Sequence, residues 1–264
     1  MSVLDDIIDG VRLDLEARMA RRSLADVMAA AALAAPALDP MPRFRASELA
    51  VIAEVKRRSP SKGHLADIAQ PDDLAARYAD GGAAAISVLT EARRFGGSLD
   101  DLDAVRARVP VPVLRKDFMV HEYQFHEARA HGVDMVLLIV AALDDETLVS
   151  FLELTRRLGM TALVETHTAD EVDRALAAGA ELIGVNNRNL KTLDVDLDTF
   201  GRLASRIADA AVKVAESGIL GADDVARVAA DGADVILVGE ALVRHEDPSV
   251  AIGDFIAAAE RARS

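Results

Sequence analysis

A helix-like Ala/Leu/Arg segment, a glycine and a short apolar run recur along the chain, as in "ARYADGGAAAISVL", "ARAHGVDMVLLIV", "RRLGMTALVE", "ALAAGAELIGV" and "RVAADGADVILVG". With "LAVIAEV", "VPVLRK" and "VKVAES" added, eight such runs fall near residues 49–55, 84–89, 111–116, 134–140, 161–165, 181–186, 212–216 and 234–239. They are continuously apolar rather than alternating, as strands of a parallel sheet are when both faces are covered. In a chain of 264 residues these observations predict an α/β fold, a (β/α)8 TIM barrel with an N-terminal helical extension.

Residues 1–46 precede the first strand and are expected to form one or two helices outside the barrel. "LDPMPRF" then leads into a single catalytic domain, residues 47–264. Within each unit the glycine marks the end of a helix, and a tight turn follows into a buried strand. Helical segments lie between most successive strands. The weakest is "DVDLDTFGRLASRIAD", between the sixth and seventh. A doubly wound sheet is the runner-up, but no Gly-x-Gly-x-x-Gly follows the first strand.

Composition narrows the function classes. Hydrophobic residues make up 51% and aromatics 3%, with no Trp, so the core is aliphatic. The net charge of −14 argues against a nucleic-acid binder and means that an anionic ligand must be held by local positive groups. There is no cysteine, hence no disulfide, thiolate metal site or Cys nucleophile. "MSVLDDIIDGVRLDLEARMARR" is acidic and mixed, unlike a signal peptide, and the longest apolar runs are too short to span a bilayer. A soluble cytoplasmic protein is expected.

In such a barrel, function sits where strands end and loops begin. Strand one ends with Glu54 and Lys56, two positions apart and so on one face. Alone, they would suit a structural ion pair. Strand three ends with Arg115, Lys116 and Asp117, strand five with Glu165, and strand six with Asn186, Asn187 and Arg188. Strand seven ends with Glu216, Ser217 and Gly218, and strand eight with Gly239 and Glu240. Mixed lysines and glutamates at one partly desolvated mouth push pKa values apart, which suits acid/base chemistry. "AESGI" and "LVGEAL" occupy the two loops that often hold a phosphate in this fold, and Lys56 could add a charge there. The histidines form no ligand constellation, His64 and His167 standing isolated, so no metal is expected. Arg57, Arg58 and Lys62 read as a solvated loop.

On "AEVKRRSPSKG", "ISVLTEARRFGGS", "PVLRKDFMVHEYQ", "ALVETHTADE", "GVNNRNL", "VAESGI" and "ADVILVGEAL", which span Ile52 to Leu242, the chain resembles the indole-3-glycerol phosphate synthases of tryptophan biosynthesis. The resemblance implies a carboxy-lyase that needs no cofactor. It would close the ring of 1-(2-carboxyphenylamino)-1-deoxyribulose 5-phosphate with loss of CO2 and water. Lys116 is then the general acid on the substrate carbonyl, and Glu165 is an acid/base in the dehydration. Glu54 and Lys56 assist at the reacting centre, while Asn186 and Arg188 position the substrate. Lys56, Ser59, Phe95, Glu216, Ser217, Gly218, Gly239 and Glu240 bind substrate or phosphate.

The resemblance leaves open which of Glu165, Glu54 and Lys56 handles each proton of the dehydration. A lysine among cations would have its pKa lowered toward neutrality. Arg94 stands where the family often has a second aromatic, leaving Phe95 as the expected wall for the anthranilate ring. The expected partner is a phosphosugar with an anthranilate ring, bound by a monomer, with no nucleic acid or membrane. Association with other enzymes of the pathway is left open. The alternatives are a phosphoribosylanthranilate isomerase, whose chemistry commonly uses Cys and Asp, or a non-catalytic phosphosugar-binding barrel.

Overall fold

The computed structural model describes residues 3–190 and 192–263. Eight parallel strands close into a barrel: β1 (Ala50–Val55), β2 (Ala85–Leu89), β3 (Val113–Lys116), β4 (Met135–Ile139), β5 (Thr161–Thr166), β6 (Leu182–Asn186), β7 (Val212–Glu216) and β8 (Val235–Val238). β1 pairs with β2 on one side, Ile52 opposite Ala85, and with β8 on the other, Ala50 opposite Val235, so the barrel has no edge strand. Every expected strand is present with ends displaced by at most two residues. The largest single displacement, two residues, is at the start of β3. Pro112 has no N–H to give to the ladder, although its carbonyl still accepts from Ile86 N at 2.9 Å.

Three helices precede the barrel, α1 (Val3–Arg21), α2 (Leu24–Leu33) and the single turn α3 (Met41–Phe44), one more than the sequence suggested. The others are α4 (Pro71–Asp80), α5 (Leu99–Arg108), α6 (Glu122–Ala130), α7 (Asp145–Arg157), α8 (Ala169–Ala177), α9 (Asp198–Ala204), α10 (Ala222–Ala230), α11 (Glu240–Val243) and α12 (Pro248–Arg263). α9, at seven residues, occupies the segment with the weakest pattern. The recurring glycine works as expected. Gly132, for example, takes φ +75° just past α6, and the next N–H, of Val133, reaches back to Ala128 O at 3.1 Å. Such a turn satisfies the last carbonyls of a helix and aims the chain into the next strand.

Successive side chains of each strand face opposite ways. Val51, Ala53, Val55 and Val88 pack outward against the helices. Ala50, Ile52, Leu114, Met135, Leu137, Leu163, Leu182, Val212 and Val235 fill the barrel, and Phe44 of α3 plugs its lower end. This alternation separates the three polar residues that end β3. Arg115 and Asp117 share the outward face, while Lys116 alone points into the mouth. Buried Arg115 donates to Asp117 at 2.9 Å and to Glu127 at 3.0 Å, and Glu127 also receives Arg18 of α1 at 3.0 Å. The extension is thereby tied to the barrel through charge as well as through Tyr123, which packs with Leu15 and Val27. Arg57 is likewise no solvated residue. It pairs with Asp101 of α5 and donates to Ile68 O at 3.0 Å, anchoring the loop after β1.

Arg115→Met would leave Asp117 and Glu127 as buried carboxylates with their main cation gone. A destabilisation of about 3–5 kcal/mol is expected in urea denaturation. A loss below about 1 kcal/mol, typical of exposed pairs, would show that the network carries little.

Candidate active site

The inward faces of the strands turn from apolar to charged near their C-terminal ends. Glu54 follows Ala50 and Ile52, Lys116 follows Leu114, and Glu165 follows Leu163 at two-residue steps. Glu216 follows Val212 and Val214 in the same way, and Asn186 tops β6. All five charged or amide groups therefore stand above the aliphatic filling. They open into a cavity of about 570 Å³. Lys56, Ser59, Phe95, Arg188, Ser217, Gly218, Gly239 and Glu240 also line it. The residues given a role by the family resemblance are brought to one mouth, whereas Arg115 and Asn187 do not line it.

Lys116 is the hub. Its Nζ lies 3.3 Å from Glu165 Oε2 and 3.4 Å from Glu216 Oε2. Lys56 closes a tight ion pair with Glu54. The neighbours of Lys116 are thus carboxylates, not cations, and the expected lowering of its pKa is overturned. Burial works against its charge, but Glu165, Glu216 and Glu54 outweigh burial and hold the pKa above that of an ordinary lysine. Glu165 goes the opposite way to most buried carboxyls. Burial opposes ionisation, yet Lys116, His167 and a hydrogen bond from Asn186 keep its pKa low. Glu216 is pushed up to about 8, by burial first and then by Glu165 and Glu54, against the pull of Lys116. Neither of its oxygens has a hydrogen-bond partner of ordinary geometry among the described residues.

Glycines make room for this cluster. A Cβ on Gly184, the inward position of β6, would lie 2.1 Å from Glu216 Oε1. One on Gly239 would lie 2.8 Å from Glu54 Oε1. At the end of β7, Ser217 and Gly218 take φ +65° and +82°, a left-handed pair that turns the backbone sharply beside the cavity. Glu240 pairs its carboxylate with Arg244 at 3.0 Å and also acts electrostatically on Arg188.

Several contributors were not singled out from sequence. Phe118 stacks obliquely with Phe95, ring centroids 6.1 Å apart, and supplies the second aromatic that Arg94 does not. Arg94 itself pairs with Asp6 of α1. Val3, Leu4 and Ile7 of α1 form part of the cavity wall. His167, taken as isolated, lies 3.4 Å from Glu165 Oε1 and 3.2 Å from Glu171 Oε2. The signal for it was its spacing, two residues beyond Glu165 on the same face. Asn187 turns out to tie loops together, donating to Ser217 O at 3.0 Å and accepting from Phe200 N at 2.9 Å. Among the described residues no cluster of three or more His, Asp or Glu side chains is placed to hold a metal ion.

The Glu216 shift has a sign that can be checked. The folded state holds its proton up to about pH 8, whereas an unfolded glutamate releases it near pH 4.3, so stability falls as pH rises across that window. Glu216→Gln mimics the protonated form. Its Tm relative to the native chain is expected to climb between pH 4.5 and pH 8 and then level off. A difference that does not change with pH would contradict the assigned proton.

Comparison with known proteins gives this mouth its family. The family model for indole-3-glycerol phosphate synthase matches residues 4–255. The enzyme of that name from Nocardioides sp. is 64% identical over 252 residues, covering 96% of this chain and 97% of the relative. The one from Mycolicibacterium gilvum is 60% identical over 257 residues, covering 97% and 94%. Two solved structures share the fold at low identity. The Pyrococcus furiosus thiamine phosphate pyrophosphorylase superposes with a TM-score of 0.61 at 16% identity, covering 82% of this chain and 97% of that one. The Salmonella typhimurium 3-hexulose-6-phosphate synthase gives 0.63 at 17%, covering 81% and 100%. The chain belongs to the indole-3-glycerol phosphate synthase family.

Proposed function

We propose that this mouth carries out the family's carboxy-lyase reaction in tryptophan biosynthesis, closing 1-(2-carboxyphenylamino)-1-deoxyribulose 5-phosphate to indole-3-glycerol phosphate. The observation that carries the reading is a protonated lysine held between two buried carboxylates whose pKa values are driven apart. In the first step the ring carbon bearing the carboxylate attacks the ketone carbon, and Lys116 donates a proton to the ketone oxygen. The carboxylate then leaves as CO2, and its bonding pair restores the aromatic ring. In the last step the new hydroxyl leaves as water with a further proton, and the adjacent CH2 gives one proton to a base. Two protons are consumed and one released, so one enters from solvent in each turnover.

Glu165 is the base in this reading, because it is the carboxylate kept ionised. Glu54 holds Lys56, and Asn186 and Arg188 orient the substrate. Phe95 and Phe118 flank the anthranilate ring. Ser59, Lys56, Ser217, Gly218, Gly239 and Glu240 surround the phosphate, the last through backbone. The left-handed pair at Ser217 and Gly218 supports that placement. Residues 47–264 act as the catalytic barrel, with residues 1–46 folded onto it as an extension. Among the described residues no helix is long and apolar enough to cross a membrane, and a cytoplasmic setting is part of the same reading.

Lys116→Ala removes the proton donor and is expected to lower kcat by roughly 10²–10⁴-fold with a small change in KM. Near-normal turnover would take Lys116 out of the reaction. Glu165→Gln keeps the shape but cannot accept a proton. Single-turnover measurement should then show CO2 release running ahead of the indole absorbance. Equal slowing of both signals would move the base elsewhere in the cluster.

A further inference from the structure

Lys116 faces two carboxylates at nearly equal distances, 3.3 Å to Glu165 and 3.4 Å to Glu216, and both are buried. One ammonium cannot tell them apart. The asymmetry lies on the far side of Glu165. There His167 Nε2 stands 3.4 Å from Glu165 Oε1. The ring is fixed from behind by Glu171, whose Oε2 lies 3.2 Å from Nδ1 and also accepts the His167 backbone N–H at 2.8 Å. Glu171 is in turn held at the start of α8, its own N–H donating to Thr168 Oγ1 at 3.3 Å. Nothing comparable stands behind Glu216, whose oxygens have no hydrogen-bond partner of ordinary geometry among the described residues.

We propose that His167, clamped by Glu171, is a positioning residue that decides which of the two carboxylates is the base: it sets a cationic ring against Glu165 that Glu216 lacks. This inference rests on the reading of Glu165 as the base. The charges at the mouth fit it. Glu54 has Lys56 beside it and Glu165 has both Lys116 and His167, whereas the cation nearest Glu216 is the shared Lys116. The groups facing His167 are Glu165 from β5, Glu171 from α8 and, farther off, Glu216 from β7. Burial opposes a charge on the ring, but these three carboxylates hold it above the ordinary histidine range. With Nδ1–H given to Glu171, a neutral ring would turn a lone pair toward Glu165. A protonated ring sets a positive charge 3.4 Å from Glu165, an ion pair and not a hydrogen bond, since Nε2 has no hydrogen-bond partner among the described residues.

The test is the pH dependence of kcat/KM in His167→Asn and Glu171→Gln, beside Glu165→Gln. Loss of the cation raises the pKa of Glu165, so the acid limb of the profile should move to higher pH. A move of about one pH unit in His167→Asn costs roughly tenfold on the acid side and little at pH 8.5, with KM near the native value. Glu171→Gln keeps a hydrogen-bond acceptor for the His167 backbone but loses the charge. It should shift the limb the same way by a smaller amount, which a role confined to capping α8 would not do. An unmoved acid limb in both variants, or a loss equal at all pH values, overturns the inference. If the His167 variants behave as native while Glu165→Gln is dead, Glu165 stays the base and only the positioning role falls. If Glu165→Gln is active, the assignment of the base itself falls.

Discussion

An ammonium buried among carboxylates is the constraint from which the rest of the mouth follows. Lys116 could not be carried into a desolvated barrel end alone, since a buried unpaired charge costs several kcal/mol. Glu165, Glu216 and Glu54 neutralise it. They bring a new difficulty, because three carboxylates around one cation cannot all ionise cheaply. The structure resolves it by adding cations behind two of them, Lys56 for Glu54 and His167 for Glu165, and by letting the third keep a proton. Three groups of different proton affinity thus arise within a few ångströms from residues that differ mainly in what stands behind them.

The barrel makes this arrangement reproducible. A two-residue step along a parallel strand keeps a side chain on the inward face and raises it by roughly 6.6 Å. Ile52 to Glu54, Leu114 to Lys116, Leu163 to Glu165 and Val214 to Glu216 are the same step taken on four strands. The apolar filling below fixes the height of each charged head, and packing at interior density leaves little freedom to sink or tilt. Gly184 shows how tight the fit is, since even a methyl group there would overlap the Glu216 carboxylate.

Much of this was legible in the sequence, for definite reasons. All eight strands could be found because a continuous apolar run directly after a helix-ending glycine is the mark of a strand covered on both faces, and Pro112 accounts for the largest error in a boundary. The strand-end residues could be found because charges are rare at such positions. What was not legible depended on orientation or on distant parts of the chain. Arg115, Lys116 and Asp117 look alike in sequence, and only the alternation of β3 shows that two of them face α6. The carboxylates around Lys116 come from three other strands, so its neighbours were mistaken for cations. His167 was passed over because no second ligand lay near it in sequence. Its partners, Glu165 and Glu171, are close in number but act through a loop and a helix start that spacing alone does not specify.

The distribution of charge around the cavity reconciles a strongly acidic chain with the proposed substrate, which carries both a phosphate and a carboxylate. The net charge of −14 repels such a ligand at long range. At the mouth the order is reversed. Lys56, Lys62 and Arg188 line the cavity, where phosphate and carboxylate would arrive. Several carboxylates that share the cavity are tied to cations of their own, Glu54 to Lys56, Glu165 to Lys116 and His167, Asp196 to Arg202 and Glu240 to Arg244. Between these groups the walls are apolar, from Phe95, Phe118 and the α1 residues Leu4 and Ile7. An aromatic ring carrying a carboxylate fits that sequence of environments. Its ring would displace water from the apolar wall while its charge stays near the cations. Excluding that water strengthens each electrostatic contact in the cluster beneath, because the effective dielectric falls where the proton transfers take place. The helical extension therefore shapes the cavity as well as the fold. By closing one side of it, α1 shields from solvent the ion pairs that Glu54 and Glu165 make with Lys56 and Lys116.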